Sequence, residues 1–309
     1  MKYILGTFLC IFILTFSPFN TKSQVKIEID VENLDDSVFY LLKYKSDKSH
    51  TVIDTSSFIK NKITITNKDN YDEGIYVLAD SRQQPLFEIL IGKDQKFSLY
   101  VKELMDLKTY KVKGSKETSD YFEVYSKTTH NQLYMMALKS ELEYFPENIY
   151  KIDSVKNYLH DYHNSIISKR PDSFLSTYVK FIKEVEAPKE YHDNSESYIM
   201  NHYFDDLPLN DNRILNSRLL KNKLDIFFNH YMQSQTPEFI CQKIDYLIEK
   251  SSAELRNYIL WYLYSKYFNP DNARNELVFI HLVDNYFSKL EIDNLTDNIR
   301  REIIKRADV

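Results

Sequence analysis

The stretch Val25-Lys26-Ile27-Glu28-Ile29-Asp30-Val31 alternates apolar and charged residues without interruption. Side chains of a β-strand point alternately to its two faces, so this spacing predicts a strand with one buried and one solvated face. The same period returns at Val38, Tyr40, Leu42 and Tyr44, at Ile63 and Ile65, at Ile75 and Val77, and at Phe97, Leu99 and Val101. Leu86 to Ile91 is more continuously apolar, interrupted only by Glu88, and reads as a central strand, and Tyr110 to Lys113 would close the sheet. Short strands with short connections predict an antiparallel β-sandwich or meander over residues 24–114.

Beyond that segment the punctuation changes. After the export signal described below, glycine occurs only at Gly74, Gly92 and Gly114, and none follows. Prolines at 146, 171, 188, 208, 237 and 270 each stand beside a helix-start signal. Thr236-Pro237-Glu238 orders an N-cap, a first-turn proline and an acid, Asn269-Pro270-Asp271 repeats the logic, and Ser251 with Glu254 makes a capping box. Ile152, Val155, Leu159, Tyr162 and Ile166 trace an amphipathic stripe. Tyr258 to Phe268, which carries the only tryptophan, Trp261, is apolar nearly all round and is expected to be the most buried helix. The expected fold is therefore α+β and multidomain: the β-rich domain, then an all-α domain of about seven or eight helices over residues 115–309. The irregular proline spacing is a weak match to the fixed period of a helical solenoid.

Upstream, Lys2 precedes an apolar run from Tyr3 to Phe16, Ser17-Pro18 breaks it, and Thr21 and Ser23 are small. This order predicts a secretory signal over residues 1–23. The run is shorter than the roughly 20 residues that span a bilayer. Thr7-Phe8-Leu9 lacks the small residues that lipoprotein processing requires ahead of Cys10. The expectation is an exported, periplasmic protein with no transmembrane segment after signal removal. The signal carries two lysines and no acid, so its loss takes the formal net charge from −5 to −7. An acidic surface excludes a non-specific nucleic-acid partner, which demands a basic one. Cys241 is then the only thiol, on one helical face with Ile244 and Ile248; it reads as a small buried hydrophobe, with no Cys-x-x-Cys and no flanking cation to activate it.

Two strings carry potential chemistry. His160-Asp161-Tyr162-His163 puts two imidazoles on one side of a helix, without a third ligand at a zinc spacing. Both histidines flank the apolar stripe and are expected to be solvated. Asp205, Asp206 and Asp211 supply acids without the spacing of a calcium loop. The simpler reading has Asn210 or Asp211 capping a helix through Leu215, Leu219 and Phe227. There is no Gly-x-Ser-x-Gly elbow, no His-Glu-x-x-His and no glycine-built phosphate loop. No catalytic, cofactor-binding or metal-binding residue is assigned, and no cofactor is expected. The 25 tyrosines and 19 phenylalanines lie beside apolar positions and read as core packing rather than stacking platforms.

Val112-Lys113-Gly114-Ser115 ahead of Tyr121-Phe122, together with His202-Tyr203-Phe204-Asp205, Asn210-Asp211-Asn212-Arg213-Ile214-Leu215, Lys223-Leu224 and the segment from Asn275 to Phe287, resembles a family of exported thiol-disulfide oxidoreductases. The likeness is to the N-terminal region of that family, a β-rich and a helical domain ahead of a thioredoxin-like domain with Cys-x-x-Cys. Here the chain stops at Arg306-Ala307-Asp308-Val309, so the resemblance carries over no catalytic residue. It implies a non-catalytic exported accessory module with a protein partner, such as a thioredoxin-like domain or protein. It also implies an apolar patch near Ile303, Ile304 and Val309, where the redox domain of relatives would begin. Two other readings stand beside it: an enzyme or metal-binding protein with a site around His160, His163 or Asp205 to Asp211, and a binding module for a peptide or glycan.

Overall fold

The computed structural model of the protein describes residues 25–34, 36–44, 50–59, 62–269 and 272–307. The expected signal at 1–23, the helix start at Pro270-Asp271 and the terminal Val309 lie outside the described residues. The alternating segments become strands β1 (Val25–Val31), β2 (Val38–Tyr44), β4 (Lys62–Asn67), β5 (Gly74–Ala79), β6 (Pro85–Ile91), β7 (Lys96–Val101) and β8 (Lys111–Lys113), with β3 at His50–Ile59. One curled sheet results, in the order β6-β5-β2-β3-β4-β1-β7-β8. The chain folds as a β-rich part followed by an all-α part, as the patterning predicts.

Two details differ from a simple antiparallel meander. β1 and β7 pair in parallel, Ile27 beside Phe97 and Ile29 beside Leu99, while the other strand pairs are antiparallel. Alternation fixes which face is buried but is blind to which strand lies alongside. β6 is also not central: its one strand neighbour is β5, and helix α1 (Lys116–Ser140) covers it. Its apolar run records burial by a helix rather than by a second strand. β3 escapes the period-2 rule because it is where the sheet curls. It pairs with β2 along most of its length and with β4 only at Phe58 and Ile59. At the bend the Ser56 hydroxyl accepts from Thr64 N at 3.1 Å and donates to Thr64 O at 2.9 Å, replacing a ladder contact.

The helices that follow α1 are α2 (Asn148–Lys169), α3 (Phe174–Ile182), α4 (Ser195–His202), α5 (Leu219–Ile226), α6 (Pro237–Lys250), α7 (Ala253–Tyr267), α8 (Ala273–Leu282) and α9 (Asp297–Ala307), nine α-helices among the described residues. Thr236 caps α6 by accepting from Phe239 N, with Pro237 in the first turn as expected. The cap of α7 is Ser252 rather than Ser251, which instead closes α6. Asp211 caps only the short 3-10 turn Asn212–Asn216, because Ser217 is extended and a new helix begins at Leu219. The most continuously buried helix is α3, in which seven of nine residues are buried, and not α7, whose Trp261 is half-buried. At the end, Ile303 is buried, and Arg306 pairs through both terminal nitrogens with Glu276. Ile303 and Ile304 therefore pack against the body and form no exposed patch.

The helical part is clasped to the sheet. Ser115 caps α1, and Thr118 donates to Leu90 O on β6 at 2.9 Å. Arg213 binds both oxygens of Asp211 and reaches Glu73 beside β5 at 2.9 Å. Arg218 pairs with Glu88 on β6 at 2.8 Å, and Asn216 donates to Glu73 O. The scarce glycines serve this seam, while the left-handed positions of the β1–β2 connection and the β5–β6 hairpin fall to Asn33 and Gln83. A Cβ on Gly74 would lie 2.4 Å from Asn216 Cβ and 2.9 Å from its carbonyl oxygen. Backbone cannot yield as a side chain does, so Gly74→Ala is expected to cost about 1–3 kcal/mol in urea unfolding. An unchanged midpoint would mean that β5 and the 3-10 turn are not in rigid contact.

Candidate functional site

On α5, Leu220 and Leu224 are buried, and Phe227 follows one turn later. Lys223 stands three residues after Leu220 and four before Phe227, so the helical period turns it into the same apolar face. Lys223 is 8% exposed. Its Nζ donates to the Lys183 carbonyl at the end of α3, at 3.0 Å, and lies 5.0 Å from the centre of the Tyr203 ring. Burial pushes the amine down to about 8, with Glu184 opposing the shift from a distance. The group is therefore still largely protonated at pH 7, yet among the described residues no carboxylate forms an ion pair with it.

Lys223 lines a cavity of about 460 Å³ between α1, α3, α4 and α5. Its walls are mainly apolar and aromatic: Tyr178 and Phe181 come from α3, Ile199 from α4, and Tyr203 from the turn that follows. Tyr231 is delivered by a wide helical turn, Phe227–Tyr231, in which Met232 N donates to Phe227 O at 3.0 Å. Such i to i+5 turns re-aim side chains at the end of a helix.

A second cavity, about 200 Å³, also has Lys223 in its wall and gathers several residues singled out in the sequence. His160, Asp205 and Asp206 line it with His202 and Glu186. They do not converge on a common point. His160 Nδ1 is 3.8 Å from Glu186, whereas Asp205 is taken up by His202 at 2.6 Å and by the Tyr246 hydroxyl at 2.8 Å. Burial works against the Asp205 carboxylate, but those two donors hold it below the usual range. Asp211 is elsewhere, bound to Arg213 and to the Thr177 hydroxyl at 2.5 Å. Among the described residues no group of three or more His, Cys, Asp or Glu side chains is placed to hold a metal ion.

His163 is a correction to the solvated reading of that string. It is 4% exposed and shares a hydrogen bond of 2.9 Å with the Thr128 hydroxyl, joining α1 to α2. Cys241 is half-buried on α6, and its thiol is pushed up to about 11 by burial, with Asp245 and Glu238 adding to the shift. It has little thiolate character at neutral pH.

Exposed apolar side chains concentrate at the far end of the α1–α2 hairpin. Leu133, Tyr134 and Met136 on α1, Tyr144 and Phe145 in the turn, and Ile149 and Tyr150 on α2 all face solvent; Tyr144 and Tyr150 are 76% and 77% exposed. The tip has its own small core, Met135, Leu138, Ile152 and Leu159, separate from the main one. The same segment carries exposed charges of both signs, Glu141, Glu143 and Glu147 with Lys139 and Lys151. No helix among the described residues is long and apolar enough to cross a membrane. Comparison with protein families, with curated proteins and with solved structures returns no match for this chain.

The folded His163 imidazole is pushed down to about 4, chiefly by burial, with Lys183 and His160 adding repulsion. The unfolded value is about 6.5. Between the two, the unfolded chain binds a proton that the folded chain refuses, so this contribution is complete above pH 6.5 and is lost as the pH falls towards 4. His163→Gln, neutral throughout, is expected to lose about 2–3 kcal/mol less than the parent between pH 7 and pH 4 in urea unfolding. Equal losses would show that His163 titrates as it does in the unfolded chain.

Proposed function

We propose that the protein is a non-catalytic exported accessory module that engages a protein partner through the tip of its α1–α2 hairpin. The observation that carries this reading is the solvent-facing cluster of Leu133, Met136, Tyr144, Phe145, Ile149 and Tyr150 on an arm with a separate core. Exposed apolar side chains gathered in one segment mark interaction sites, because leaving them in water is unfavourable. A thioredoxin-like domain or protein is the partner implied by the resemblance, and the periplasm is the compartment implied by the predicted signal. The high thiol of Cys241 agrees with a supporting role and not a redox-cycling one.

A glycan-binding reading rests on a different observation. A groove of about 760 Å³ is lined by Tyr258, Trp261 and Tyr262 with Asp225 and Asn229, the mixture of ring faces and polar groups that sugars use. Quenching of the single tryptophan by oligosaccharides would favour it, and unchanged emission would remove it.

For the leading reading, a photo-crosslinking phenylalanine at Tyr150 in the exported protein is expected to give one main adduct, to a protein with a thioredoxin-like domain. Tyr144→Ser combined with Phe145→Ser should abolish it while changing stability by no more than about 1 kcal/mol, because both side chains are exposed. Adducts to lipid alone, or an adduct insensitive to the tip substitutions, would overturn the reading. Insulin reduction by the purified protein should not exceed that of Cys241→Ala.

A further inference from the structure

We propose that the 460 Å³ cavity beside Lys223 binds a small amphipathic carboxylate, its apolar or aromatic body held by Tyr178, Phe181, Tyr203 and Tyr231 and its head group paired with the Lys223 ammonium. Three observations carry this. The volume falls within the range of about 300–1,000 Å³ typical of small-molecule sites, and the walls combine apolar surface with a few polar groups. A buried cation normally has a counter-ion, since taking an ammonium out of water is costly. Lys223 has a backbone carbonyl and a ring face, and one hydrogen bond uses one of its three donors.

The charge count selects the ligand. Among the described residues Lys223 is the only cation in the cavity wall, so a monoanion is matched and a phosphate dianion is not. Glu184, exposed and also in the wall, is the only acid there among the described residues and weakens the positive field. Asn222 and Gln132 offer neutral donors towards a second carboxylate oxygen. The adjoining 200 Å³ cavity, by contrast, mixes the acids Glu184, Glu186, Asp205 and Asp206 with Lys180, Lys183 and two histidines, and has fewer apolar and aromatic residues in its wall to hold the ligand's body. The head group is therefore expected to meet Lys223 from the larger cavity. This inference is independent of the hairpin tip.

Calorimetric titration at pH 7 with 4-phenylbutyrate and 4-phenylbutanol compares ligands that differ only in the head group. The acid is expected to bind about tenfold or more tightly than the alcohol, the increment of a charge-assisted hydrogen bond. Lys223→Gln and Lys223→Met should remove the preference, Glu184→Gln should increase it, and Ile226→Trp at the half-exposed rim should weaken both ligands. If the Lys223 variants do not fold, the parent provides the same readout, because its preference should collapse when the amine is deprotonated at about pH 9.5. Absence of binding by either ligand at millimolar concentration, equal binding of acid and alcohol, or a preference that survives both Lys223→Gln and pH 9.5 would overturn the proposal.

Discussion

The carboxylate of Glu117 is where the sheet and the helices are made to agree. It sits in the first turn of α1, is 7% exposed, and accepts from Leu175 N in the first turn of α3 at 2.8 Å. Two helix N-termini thus share one acid, the charge that their dipoles favour. The carboxylate also lies against Gly92 at the end of β6, where a Cβ would come within 2.3 Å of Oε2. Its pKa is raised, chiefly by burial with Glu73 adding to the rise, and the Leu175 N–H, Arg170 and Arg213 offset only part of it. Because this contact fixes the start of α3, it also fixes where α3 ends. The carbonyl of Lys183 at that end receives the Lys223 ammonium, so the cavity wall depends on a contact at the opposite end of the helix.

The second clasp works by the same economy. Arg213 ties Asp211 to Glu73 and also donates to the Asp172 carbonyl, so one guanidinium serves a 3-10 turn, the entry to α3 and the sheet. Glycine is spent only where backbone must approach a side chain or turn sharply. Gly92 receives Glu117, Gly74 receives Asn216, and Gly114 takes φ 100° where the chain leaves β8 for α1. A chain this poor in glycine can afford an all-α second part because helices joined by capped turns need few positive φ angles.

What the residues announced in advance depended on period. β1, β4 and β7 were legible because each buries alternate residues on one face, and α6 because Thr236-Pro237 caps it. β3 was not legible, since it changes partner along its length and has no single buried face. The parallel pairing of β1 with β7 and the edge position of β6 belong to topology, which local pattern does not encode. For the site, His160 and Asp205 stand out in the sequence as chemical groups, but what engages them, Glu186, His202 and Tyr246, comes mostly from other segments. Lys223 had a signal that was readable: a lysine on the face defined by Leu220 and Phe227. The ring beneath it and the carbonyl in front of it come from residues 203 and 183, beyond the reach of any local window.

Two places stand apart from this otherwise consistent fold, and they break the solvation rule in opposite directions. At the hairpin tip, apolar side chains stand in water; at Lys223, a cation stands out of it. Neither arrangement stabilises the isolated chain. The tip surrounds a core of only four buried residues, and it is joined to the body near the hydrogen bond between His163 and Thr128. An apolar replacement for Lys223 would cost no desolvation of charge. In a fold whose strand faces, caps and seam agree with one another, such exceptions locate function better than any short motif does. Under the two proposals, a protein would cover the tip and a small anion would face Lys223.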